Sequence, residues 1–169
     1  MLGSNGNKFV TAGGSGLVLS EQGVRPIVAA KYPHMMPEDT VIWRRFVANG
    51  LYLPDLVWYD VRVGHAVEVA SGQPEWMKKF SEYTTRKRID IVGRKGLDYW
   101  IIEAKPRAGV VALGQAVFYS LAFLKEYDHA AAVIPAVITD VCDEDVRPVF
   151  DAAGVLVFEV GREAGAILG

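Results

Sequence analysis

Cysteine is almost missing from this chain. Cys142 is the only one, so no internal disulfide can form, and the sequence reads as that of a protein from a reducing, cytoplasmic compartment. Long hydrophobic runs are missing as well: no stretch approaches the roughly 18 apolar residues of a membrane span. The N-terminal residues lack the charged-then-apolar layout of a secretory signal. Neither charge sign is in excess, because 18 Lys and Arg stand against 20 Asp and Glu for a formal net charge of −2. Taken alone, that balance argues against a histone-like or polybasic nucleic-acid binder. His34, His65 and His129 are scattered without metal-ligand spacing, and Gly13-Gly14-Ser15-Gly16 lacks the Lys-Ser/Thr of a P-loop.

What is present is an ordinary globular composition. Of 169 residues, 51% are hydrophobic and 22% charged, enough for one domain that needs no disulfide or metal staple. Residues 1–16 are rich in glycine and poor in apolar side chains, so they are read as a flexible tail ahead of a single domain over 17–169. Short β-compatible runs between Leu17 and Ala30 suggest an edge strand or hairpin. Pro37-Glu38-Asp39-Thr40 marks a helix start, Ile42, Phe46 and Val47 its apolar face, and Asn49-Gly50 its stop. Strands are expected at Leu56–Val63, Arg88–Val92 and Tyr99–Lys105, with a short helix from Glu75 to Glu82 and a turn from Gly93 to Gly96. Pro106 is expected to break the third strand. A helix apolar around most of its circumference then runs from about Arg107 to Glu126. A central strand at Ala130–Ile138, a helix at Asp143–Ala153 and a strand at Gly154–Phe158 complete an α/β order. Trp43, Trp58, Trp76 and Trp100 are read as core or half-buried anchors.

The informative stretch is Arg88 to Tyr119. A period of two puts Glu103 and Lys105 on one face of their strand, and Asp90 interrupts an apolar run one strand earlier. If the two strands form a hairpin, Asp90 faces Glu103. Two carboxylates converging beside a lysine make a hard-oxygen site suited to Mg²⁺ or Mn²⁺ next to a cation. Such a metal could polarise a phosphodiester and activate a water. On the following helix, Gln115 and Tyr119 are four residues apart and share a face.

Asp90, followed after twelve residues by Glu103-Ala104-Lys105, resembles the D-x(n)-(D/E)-x-K signature of the PD-(D/E)XK nuclease superfamily. Gln115-Ala116-Val117-Phe118-Tyr119 is similar to the Q-x-x-x-Y element of its RecB-like branch. Ile89 stands where the superfamily's name has proline. The resemblance implies a restriction-endonuclease-like αβββαβ core with a mixed central sheet flanked by helices, and metal-dependent hydrolysis of DNA phosphodiesters, endo- or exonucleolytic. It implies that Asp90, Glu103 and the Ala104 carbonyl hold the metal and that Lys105 positions the water. Gln115 and Tyr119 would support the site or touch the nucleic-acid backbone. A Glu on the first helix often joins such sites; Glu38 is the candidate, with Glu68 and Glu82 as competitors. A catalytically silent nuclease fold, serving as a nucleic-acid-binding or assembly subunit of a viral or mobile-element complex, is the alternative. A homodimer or a larger nucleoprotein complex fits either reading.

The bland net charge hides a division. From Lys78 to Arg107 nine basic residues face four acidic ones, a window of +5, while the remainder carries −7. Arg86, Lys87, Arg88, Arg94, Lys95 and Arg107 are therefore the expected phosphate contacts.

Overall fold

The computed structural model describes residues 19, 23–127 and 131–161, so the expected tail over 1–16 lies outside the described residues. Helix α1 covers Pro37–Asn49: proline opens it, Glu38 and Asp39 sit in its positive first turn, and Gly50 ends it at φ 74°. The chain continues through β1 (Leu56–Val63), α2 (Glu75–Thr85), β2 (Lys87–Lys95), β3 (Asp98–Ala108) and α3 (Val110–Glu126). It then forms β4 (Val133–Cys142), α4 (Arg147–Ala152) and β5 (Leu156–Glu159). The five strands make one mixed sheet in chain order. β1, β2 and β3 pair antiparallel, and β3, β4 and β5 pair parallel. The two parallel pairs need crossovers, which α3 and α4 supply. Of the expected N-terminal strand, a single antiparallel bridge between Val24 and Val57 is seen among the described residues.

The alternation of β3 separates two layers of core. Trp100, Ile102 and Ala104 pack with Ile42, Trp43, Phe46 and Val47 of α1. Ile101 packs with Phe123 and Leu124 of α3, together with Ile89, Val92 and Val133. β4 is buried along nearly its whole length, as a strand apolar on both faces should be.

Several sequence expectations change for local reasons. β3 runs past Pro106 to Ala108, because its ladder with β2 ends at Ile102. Beyond that point a missing N–H leaves no antiparallel bond unmade. Gly93 is not in the turn but inside β2, opposite Trp100. A Cβ there would lie 2.6 Å from Pro54 Cγ, so only glycine admits that close approach. Gly93→Ala is expected to cost about 1–3 kcal/mol in urea unfolding, and an unchanged midpoint would contradict this packing. α3 is buried on one side only, since Val110, Val111, Phe118 and Leu121 are exposed. α2 buries none of its residues, and Trp76 is 63% exposed rather than an anchor. Among the described residues no helix is long and apolar enough to cross a membrane.

Candidate active site

The β2–β3 ladder runs from Lys95↔Asp98 to Ile91↔Ile102, so the next opposed pair is Asp90 and Glu103. There the backbone ladder stops. The Ala104 N–H faces the Asp90 carboxylate and the Asp90 N–H faces that of Glu103, each favouring the charged form of its acid. Because a strand residue turns its N–H and C=O to the same side, the Ala104 carbonyl also opens toward Asp90. One oxygen of each acid, Asp90 Oδ2 and Glu103 Oε1, is buried without a hydrogen-bond partner. Buried carboxylate oxygens are costly to leave unpaired, so the ionised pair works against stability.

Lys105 Nζ donates to Asp39 Oδ2 at 2.8 Å, which ties the end of β3 to the first turn of α1. The helical acid in the cluster is thus Asp39, 3% exposed, and not Glu38, whose side chain is exposed. Helix geometry gives the reason. Asp39, Trp43 and Phe46 are spaced four and three apart on the buried face, and Glu38 is turned about 100° away. Glu68 and Glu82 are exposed as well. From α3, the Gln115 amide lies near the Tyr119 hydroxyl and favours its ionised form, while the charges of Glu103 and Asp90 oppose it. Gln115 Oε1 is a third buried oxygen without a partner. The structure therefore brings together Asp90, Glu103, Ala104, Lys105, Gln115 and Tyr119, and adds Asp39.

Burial dominates the electrostatics. It pushes the Asp90 carboxyl up to about 6, against relief from Lys105, and the nearby Asp39 raises it further. Burial and then the Asp90 charge hold Glu103 well above the usual carboxylate range. Burial works to lower Lys105, but its hydrogen bond to Asp39 and the charges around it outweigh that and leave it raised. Tyr119 is raised by burial and by Glu103. At neutral pH Lys105 is an ammonium and Tyr119 a phenol. Acids raised in the folded state stabilise it fully below their unfolded values, and that stability is lost as pH rises through the folded values. The protein in chelator should therefore lose stability as pH rises from the unfolded Asp90 value of 3.8 through its folded value of about 6. The rise of Asp90 from 3.8 to about 6 corresponds to roughly 3 kcal/mol when fully ionised. A melting temperature that is flat or climbs across that range would contradict the assignment.

A second acid near the cluster is unusual in its backbone. Asp60 sits inside β1 at φ 56°, outside the normal range for a strand residue. The strand's buried face changes there: Val57 and Tyr59 belong to the α1 layer, Val61 and Val63 to the α3 layer. Asp60 lies 3.3 Å from Arg88 Nη1, 3.6 Å from Arg62 Nη2 and 3.4 Å from His34 Nε2. Its charge also raises Asp90.

The basic residues divide. Arg88 and exposed Lys87 precede Asp90 on β2, and exposed Arg107 follows Lys105 while pairing with Asp143. Arg86 is committed to Glu126 and the Gly64 carbonyl. Arg94 and Lys95 do not reach the cluster: they lie at the opposite end of β2, four and five residues beyond Asp90 and about 13 Å or more away. Lys95 instead donates to the Leu53 carbonyl at 2.8 Å.

Among the described residues, no group of three or more His, Cys, Asp or Glu side chains is placed to hold a metal ion. The donors for a hard divalent cation are narrower: two orphaned carboxylate oxygens and one backbone carbonyl, and their chemistry fits Mg²⁺ or Mn²⁺. Comparison with family models, curated proteins and solved structures finds no match to this chain.

Proposed function

We infer that this chain is a metal-dependent nuclease of the PD-(D/E)XK, RecB-like type, acting on DNA. The observation that carries the reading is the splay of β2 from β3 at Asp90 and Glu103. It leaves Asp90 Oδ2 and Glu103 Oε1 buried and unpartnered beside the Lys105 ammonium. Helix, three strands, helix, strand, helix, strand, with α2 inserted after β1, also supports a restriction-endonuclease-like core. Asp90, Glu103 and the Ala104 carbonyl would hold Mg²⁺ or Mn²⁺. When bound, such an ion polarises the phosphate and makes a water nucleophilic near neutral pH.

The chain's own groups have distinct tasks. Although burial opposes its charge, Lys105 is held raised by Asp39 and the acids around it, which suits it to orient water and balance phosphate charge. Asp39 fixes the ammonium in place. The Tyr119 hydroxyl, with Gln115 nearby, can donate to a phosphate oxygen.

The test is incubation of the full chain with plasmid and with single-stranded DNA, in Mg²⁺ or Mn²⁺ and in chelator. Cleavage is expected with metal and not in chelator; cleavage that survives both chelation and Lys105→Ala would end this reading. Asp39→Asn should lower the rate about tenfold while Glu38→Gln changes it less than about twofold. Equal losses would remove the distinction between the two acids. The alternative is a silent, binding-only fold. Binding without cleavage on every substrate would decide for that alternative.

A further inference from the structure

The nuclease reading leaves α2 unused, and α2 is the least embedded helix of the fold. No residue of it is buried, and none joins a core cluster. It is fastened by polar contacts instead. Ser81 Oγ donates to the Val67 carbonyl at 2.6 Å, the Val67 N–H reaches Thr85 Oγ1 at 2.7 Å, and Arg62 Nε reaches the Tyr83 carbonyl at 3.1 Å. These bonds hold the helix while leaving its aromatic side open.

That side carries Trp76, Phe80 and Tyr83 at 63%, 61% and 56% exposure. Their spacing of four and three puts all three rings on one stripe, with Lys79 beside it, three residues after Trp76 and four before Tyr83. Three large rings aligned in solvent are not scattered surface apolar residues; they make a platform. Cations accompany it. The Arg62 guanidinium lies 3.9 Å from the Tyr83 ring centroid, and Lys87 Nζ stands 5.9 Å from the ring of Phe118, which belongs to α3 and not to this stripe. From Glu75 to Arg88 five basic residues face two acidic ones, although Arg86 pairs with Glu126 and Arg88 with Asp60. The chain passes from Tyr83 through Arg86 into β2 and reaches Asp90 within seven residues.

We propose that α2 is a stacking platform for single-stranded DNA, which it delivers to the carboxylates at the start of β2. The proposal names the substrate form of the nuclease read above and rests on that reading for what happens at Asp90. Aromatic rings interleaved with cations match a single strand, whose bases expose their π-faces and whose phosphates need counter-charge. A duplex hides its base faces and would meet these rings only with sugar and phosphate.

Binding is measured in chelator, without cleavage, by fluorescence anisotropy of a labelled oligothymidine of about fifteen residues and of a hairpin duplex. Oligothymidine should bind more tightly. Trp76→Ala and Phe80→Ala should each weaken it about tenfold or more with duplex binding unchanged, and Trp76→Phe should restore most of the loss. Because α2 buries nothing, circular dichroism of these variants should match the parent. Unchanged oligothymidine affinity in Trp76→Ala and Phe80→Ala overturns the proposal. So does self-association that the same substitutions abolish, which would give the stripe to a second copy. If no metal supports cleavage but the ring-dependent single-strand preference is found, the nuclease reading fails and this one stands. If cleavage occurs equally on both DNA forms and ignores Trp76 and Phe80, the nuclease reading stands and this one fails.

Discussion

Asp90→Asn is expected to lower cleavage by about 10²–10³-fold and, in the same protein, to raise the melting temperature in chelator at pH 8 by a few degrees. The two effects share one cause. Asp90 is held up to about 6 by burial, with Asp39 and Asp60 adding to the cost of its charge. Asparagine keeps an oxygen for the Ala104 N–H and carries no charge, so the ionisation cost at pH 8 disappears. It also loses the anionic oxygen, left without a partner in the native site, that a divalent cation would use. An ordinary structural carboxylate behaves in the opposite way, losing stability when neutralised. Parallel melting curves and single-turnover cleavage assays check both halves. A variant that is inactive but less stable would place Asp90 in the framework and not in a functional site.

Much of this arrangement was legible in the residues. The bounds of α1 and β1 follow from Pro37, Gly50 and the run after Pro54, and the opposition of Asp90 to Glu103 follows from the hairpin. Asp39 is legible from helix spacing and not from helix charge. Its spacing to Trp43 and Phe46 marks it as the buried acid of the first turn, whereas both acids suit the helix dipole equally and that criterion cannot separate them. Asp60 was not legible. A strand reading assumes an unbroken period of two, and a left-handed residue inside β1 depends on Arg62, Arg88 and His34 gathered from three parts of the chain. Pro106 misled for a related reason, since its tolerance depends on where β2 leaves β3, a property of two strands and not of one. The charge window overreached because sequence adjacency ignores strand direction. β2 begins at the carboxylates and carries Arg94 and Lys95 away from them.

Lys105→Ala is expected to reduce cleavage by about 10²–10³-fold and to move the acidic limb of the remaining activity toward higher pH. Lys105 lowers Asp39, Asp90 and Glu103 by its charge, and it donates a hydrogen bond to Asp39. Without the ammonium all three acids rise further, so the ionised pair at Asp90 and Glu103 forms only in more alkaline solution. The rate constant itself falls because no donor orients the water or meets the phosphate charge. Stability should separate the two consequences. At pH 8 the variant leaves Asp39, 4% exposed in its side chain, as a buried anion without its partner, and it should melt below the parent. At pH 5 the risen acids are protonated and the deficit should shrink. Lys105→Arg keeps the charge but not the ammonium's compact donor geometry, so it should restore the pH profile and most of the stability while recovering less of the rate. A Lys105→Ala protein whose pH profile and melting curve both track the parent at every pH would place the ammonium outside the carboxylate cluster, and the site would lose its one internal cation.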